Sequence, residues 1–229
     1  PKLADKARVP ADSPLRDAVT LVNPLGEDTS VMRTQLLPSV LEALSRNENR
    51  RIAECALFEN APVYIKRGDG LPDEPIRIAI AMYGPDTDFY SVKGICEALF
   101  DHLGIKGVRY EAASDMPLFH PGRCAKITRE GVTLGVLGGL HPEALENFEF
   151  DIPVYASELD FEALFAARTT ERRYIPLPKF PAVTRDLAFV CDEAVESQSI
   201  VDVIADACGN LLEDIKLFDV YRSAQLGEG

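Results

Sequence analysis

CAKITREGVTLGVLGGLHPEALENFEFDIPVYASELDFEAL, from Cys124 to Leu164, is the stretch on which the reading of the fold turns. Its first half is two apolar runs joined through Glu130-Gly131, a β-hairpin whose turn signal is weaker than Asn-Gly. His141 then stands at a strand end, and Pro142 sits where the first turn of a helix tolerates proline. VYASELDF reads as a further strand, with Asp160 placed to cap the short helix FEALFAA. Gly138-Gly139 lacks the spacing and the following acid of a dinucleotide motif, so tight backbone packing is the expectation. Glu158, Asp160 and Glu162 are expected along a solvated strand edge and helix start, where acids are electrostatically favoured.

Outward from this stretch the same periodicities recur. LLPSVLEALSRNENR carries Leu37, Val40, Leu41 and Leu44 on one helical face. RIAECALFENAPVYI reads as strand, turn and short strand, broken near Asn60 and Pro62. PIRIAIAMYG alternates Ile76, Ile78, Ile80 and Met82 with small or apolar residues on its other face, the pattern of a central strand covered on both sides. SVKGICEALFDHLG places Val92, Ile95, Leu99 and Leu103 on a stripe and ends at Gly104, a helix stop. Strands that lie mostly in hairpins, with few helices between them, predict an α+β fold: an antiparallel sheet flanked by helices.

Composition shifts at ARTTERRYIPLPKFPAV, where Pro176, Pro178 and Pro181 withhold backbone donors and fix an extended chain. This connector divides the sequence into residues 1–172 and 173–229. Beyond it, RDLAFVCD, SQSIVDVIADACG and EDIKLFDVYR read as strand, helix and strand. Ile200, Val203, Ile204 and Ala207 face inward, and Gly209 is the stop. That βαβ unit is half of a ferredoxin-like domain. The opening PKLADKARVPADSPLRDAV is polar and proline-spaced, and reads as an exposed entry loop or as the ragged edge of a longer protein.

Bulk properties exclude several classes. The chain has 229 residues, enough for a domain and a half, and its 46% hydrophobic and 27% charged content is that of an ordinary globular protein. No apolar run approaches the length of a membrane span. A net charge of −13 repels phosphate backbones, so RNA contact must be local and shape-specific, and DNA is not expected. The five cysteines, scattered without a C-x-x-C pair, read as buried thiols in a reducing, cytoplasmic setting. No metal-ligand spacing occurs among the three histidines. His120, before Pro121, is expected in a turn.

NPLGEDTSVMRTQLLPSVLEALSRNENR, SVKGICEALFDHLG, FHPGRCA, GVLGGLHPEAL and YIPLPKFPAVTRDLAFV with LFDVYR follow one another in the order seen in the beta-subunit family of bacterial phenylalanyl-tRNA synthetases. The resemblance covers nearly the whole chain. It implies a fragment of a longer protein: a non-catalytic class II synthetase-like domain lacking its N-terminal part, then the first half of a ferredoxin-fold anticodon-binding domain, RRM-like in outline. It implies a catalytic alpha subunit as partner, in an alpha2-beta2 heterotetramer, and tRNA(Phe). ATP and magnesium serve the holoenzyme, and no cofactor is expected on this chain.

Adenylation builds negative charge on a phosphate and requires fixed positive charge beside it. The resemblance places one arginine of that kind, in a pattern like F-R-x-E, on ALFENAPVY, where Glu59 follows Phe58. It places the other, in a pattern like G-x-G-x-x-R, on VYASELDFEAL, where Ala163 stands near the arginine position. The chain is therefore expected to be inactive in adenylation by itself. It also implies tRNA contact by Asp219 and Tyr221, two apart on one strand face, with Arg185 and Arg222 meeting phosphates. The arginine-bearing MRTQLLPSVLEALSRNENRR is the candidate surface for the alpha subunit. A regulatory subunit of another enzyme is the rival reading, and a free-standing synthetase a third.

Overall fold

The computed structural model describes residues 2–26, 29–68, 70–171, 174 and 179–222. Contacts divide the chain into two units, Pro1–Arg172 and Arg173–Gly229. Most of the proline connector, residues 172–173 and 175–178, lies outside the described residues.

The first unit is built on one antiparallel sheet. Its strands are β1 (Cys55–Pro62), β2 (Ile76–Tyr83), β3 (Arg109–Ala112), β4 (Phe119–Arg129), β5 (Val132–Leu140) and β6 (Tyr155–Asp160), in the order β1-β2-β6-β5-β4-β3. The expected hairpin is present, and Glu130 and Gly131 turn it with φ of 51° and 81°. Positive φ at both turn residues matches the strand twist, and Gly131 takes it without a Cβ penalty. RIAECALFENAPVYI differs from expectation: β1 runs unbroken through Asn60, because eight backbone pairings with β2 hold it extended.

Side chains alternate across the pleat, so each face has its own core. On one face Ala79, Ala81, Tyr83 and Ala156 are buried under helix α2 (Leu37–Glu48), which turns Leu37, Val40, Leu41 and Leu44 onto them. Alanines on the sheet let the helix approach closely, and each leucine so buried contributes about 1.5–3 kcal/mol. On the opposite face Ile80, Leu137, Leu159 and Ile127 meet helices α3 (Phe89–His102) and α5 (Phe161–Ala167). The buried stripe of α3 is Val92, Cys96 and Phe100, whereas Ile95 is exposed. Asp88 starts that helix with a capping box to Ser91, and Gly104 (φ 68°) follows its end.

The opening segment is not a bare loop. It forms helix α1 (Lys2–Lys6), and Ala7 and Val9 enter the core beside α2. Their small apolar side chains carry the anchoring that the polar periodicity concealed. Helix α4 (Pro142–Asn147) begins after His141, as its proline predicts.

In the second unit, helix α6 (Ser197–Cys208) forms and stops at Gly209. The flanking segments RDLAFVCD and EDIKLFDVYR form no strand among the described residues. The inward assignment of Ile200, Val203, Ile204 and Ala207 is corrected: none is buried, and Val203 is 68% exposed. An apolar stripe is covered only when a sheet forms beside it, and strands hold only when their N–H and C=O groups are paired.

Candidate functional site

One row of residues crosses the sheet on the α2 face. Glu59 pairs with Ala79, Ala79 with Glu158, Glu158 with Val136, and Val136 with Lys126. The next row sets Ala61, Arg77 and Asp160 side by side. The alternation of β1, β2 and β6 therefore gathers three carboxylates and one arginine on a single face. Arg33, just before α2, reaches the same face: its guanidinium donates to Glu59 Oε1 at 2.7 Å and to the Pro62 carbonyl at 3.1 Å. Arg77 is paired with Asp160. Both arginines are thus neutralised within the fold.

Glu158 differs from expectation in its surroundings. β6 lies between β2 and β5, so Glu158 is on a central strand, not a solvated edge. Its Oε2 accepts from the backbone N–H of Leu36 at 3.0 Å and of Leu37 at 2.8 Å, the first donors of α2. These N–H groups have no partner within the helix and carry its positive dipole end. Leu36 offers no side-chain cap, and a carboxylate 122 positions away in sequence supplies it instead. Burial pushes the Glu158 carboxyl up, against the opposing influence of those two N–H groups and of Arg77 and Arg33. Asp160 caps α5 as its position predicts, accepting from Ala163 N–H at 2.9 Å. Glu162 accepts from Ile76 N–H at 3.2 Å, so it too is engaged rather than free.

Beside Glu158 opens a cleft of about 280 Å³, walled by the segment after α1, the start of α2, the 115–119 loop and β5. Its polar lining is Ser13, Gln35, Asp115 and Glu158, and no lysine, arginine or histidine among the described residues lines it. Such a lining opposes a triphosphate, whose charge needs cations or directed N–H groups. The helix N-terminus that could supply the latter is already occupied by Glu158. Nucleotide chemistry does not fit this cleft.

His141 caps helix α4. Its Nδ1 accepts from Glu143 N–H at 3.2 Å at the start of α4. Desolvation, with Arg8 nearby, holds its pKa below 6.5. The folded state therefore binds fewer protons than the unfolded one between that depressed value and 6.5. Its contribution is complete above about 6.5 and is lost as pH falls through the depressed value. His141→Ala is expected to cost about 1 kcal/mol. In urea denaturation at a series of pH values, His141→Asn, which still caps, should gain on the wild type as pH falls below 6.5. His120 lies in β4 and not in a turn: a register shift between Phe119 and Cys124 relaxes the strand there, and its Nδ1 accepts from Gly122 N–H at 3.0 Å. Burial pushes the thiols of Cys96 and Cys124 up to about 11, which leaves them protonated and unreactive. Cys191 and Cys208 are exposed, contrary to the expectation for buried thiols.

The phenylalanyl tRNA synthetase beta chain CLM domain model matches residues 1–161, and the ferredoxin-fold anticodon binding domain model matches residues 178–229. The chain belongs to the phenylalanyl-tRNA synthetase beta chain family. It is 45% identical to the phenylalanine–tRNA ligase beta subunit of Clostridium tetani and 42% identical to that of Clostridium acetobutylicum, in each case over all of this chain and 29% of the relative. It thus spans under a third of the length of those relatives. Among solved structures it resembles pyrrolysyl-tRNA synthetase from Desulfitobacterium hafniense, with a TM-score of 0.56 and 16% identity over 72% of this chain and 57% of that one. That likeness is one of fold, and it identifies the six-stranded sheet as synthetase-like.

In this beta chain the four residues singled out for tRNA all lie in the second unit and are exposed. Asp219 and Tyr221 stand in no strand, so the single strand face expected to align them is not formed. Arg222 donates to Glu193 Oε1 at 2.9 Å, and Arg185 to the Thr184 carbonyl at 3.0 Å. No sequence signal announced the Glu158 cap, since its partners are backbone groups on an element remote in the chain.

Proposed function

We propose that this chain is the non-catalytic portion of a phenylalanine–tRNA ligase beta subunit. Residues 1–172 form a synthetase-like domain kept for assembly with a catalytic alpha subunit, in an alpha2-beta2 enzyme. Residues 173–229 form the anticodon-reading domain for tRNA(Phe). Arg33 and Arg77 are bound to carboxylates on the sheet face, and the adjacent cleft has an acidic lining without cations among the described residues; this one observation carries the reading. ATP and magnesium then belong to the alpha chain, and the cytoplasm is the setting. The arginine-bearing segment from Met32 to Arg51 is the surface offered to that chain: Arg50 and Arg51 are exposed, while the apolar face of α2 is spent on the sheet.

Phenylalanine-dependent ATP–pyrophosphate exchange measured on this chain is expected to be absent, and exchange above background would sink the reading. In the intact enzyme, Tyr221→Ala should raise the KM for tRNA(Phe) about tenfold, by loss of one base stack of about 1–3 kcal/mol, with exchange unaltered. An unaltered KM removes Tyr221 from the tRNA site. Co-purification of the intact beta subunit with the alpha chain tests the assembly role, and failure to associate favours a regulatory subunit of another enzyme.

A further inference from the structure

The cleft beside Glu158 has a chemistry of its own, independent of the role proposed above. Four carboxylates stand on or beside this face: Glu59, Asp160, Asp115 and Glu158. Three of them have a cation: Arg33 for Glu59, Arg77 for Asp160, and Lys126 for Asp115 at 2.8 Å. Glu158 stands in no ion pair among the described residues. Its Oε2 accepts from the two N–H groups of α2, its Oε1 accepts no hydrogen bond among the described residues, and the residue lines the cleft. The remaining wall is largely apolar, with Leu37, Met116, Phe119 and Val136 on it. The volume lies just below the roughly 300–1,000 Å³ typical of ligand pockets, which limits an occupant to a small molecule.

A ligand that satisfies these walls needs a donor-rich cation at one end and an apolar body at the other. A carboxylate on the ligand would be repelled by Glu158, and a phosphate more strongly. We propose that this cleft binds a small primary ammonium with an apolar body and no acidic group, its N–H donors on Glu158 Oε1. A bound ammonium supplies the counter-charge that burial denies this carboxylate, so binding and ionisation of Glu158 favour one another. The site is distinct from an amino-acid or nucleotide site because it rejects anionic groups.

The test is calorimetric titration of the full chain with 2-phenylethylamine, against the isosteres 2-phenylethanol and 3-phenylpropionate. The amine should bind at least tenfold more tightly than the alcohol, and the acid should not bind. Glu158→Gln, which keeps an oxygen for the α2 donors, should bring the amine down to the affinity of the alcohol. Met116→Trp, which fills the cleft, should weaken amine and alcohol together. Equal affinity for amine and alcohol on the wild-type chain overturns the proposal. So does amine affinity unchanged in a folded Glu158→Gln, or the absence of saturable heat. If Glu158→Gln fails to fold, the amine-to-alcohol ratio and Met116→Trp decide.

Discussion

Gly138→Ala is expected to destabilise the first unit by about 3 kcal/mol or more, while Gly139→Ala costs under about 1.5 kcal/mol. A Cβ on Gly138 would lie 2.5 Å from the Arg123 carbonyl oxygen and 3.0 Å from the Cys124 Cα. Both obstacles are backbone of β4, next to the register shift between Phe119 and Cys124, so relief requires moving the backbone of a strand paired with β5. At Gly139 the nearest atom is 3.3 Å away, on the ring of Tyr155, and a side chain can give by a few tenths of an ångström. Urea denaturation followed by far-ultraviolet circular dichroism measures the difference. Equal midpoints for the two variants would show that β4 can yield at this point. The adjacent glycines are therefore unequal: one is required by backbone approach, the other by a ring that can shift.

Glu158→Ala is the second large effect, expected at about 2–4 kcal/mol. It strands two N–H groups at the packed start of α2, each costing about 1–3 kcal/mol when unsatisfied, with part of that relieved by water entering the cleft. Glu158→Gln keeps an acceptor and should cost far less. The same pair exposes the titration. Because burial raises the Glu158 pKa above its ordinary 4.5, the folded state binds more protons than the unfolded state between 4.5 and the raised value. This contribution is fully present below 4.5 and is lost as pH rises through the raised value. The wild type should therefore lose stability relative to Glu158→Gln as pH climbs from 4.5. The opposite trend would show that the two N–H groups and the arginines outweigh burial.

Much of the first unit is legible because its elements announce themselves locally. The hairpin from Cys124 to Leu140, the Asp160 cap and the Leu37–Leu44 stripe each depend on neighbours within a few residues. Where expectation and structure part, the cause is a contact between distant segments. Asn60 looks like a break until β2 pairs across it. The opening segment looks like a loop until Ala7 and Val9 find the core. In the second unit the helix Ser197–Cys208 forms from its own hydrogen bonds, whereas RDLAFVCD and EDIKLFDVYR, which need partners, do not pair among the described residues.

The candidate site divides along the same line. The resemblance alone implies that the positions of Glu59 and Ala163 lack the arginines of an adenylation site, because charge type is a property of each side chain. That Arg33 and Arg77 are nevertheless present on that face, and silenced by Glu59 and Asp160, depends on strand register. So does the conversion of Glu158 from an ordinary surface acid into the cap of a helix that begins 121 residues earlier. Side-chain chemistry and local periodicity are written in short stretches of chain; which charges meet, and which carboxylate is left facing a cleft, follows from pairings that exist only once the sheet has closed over α2.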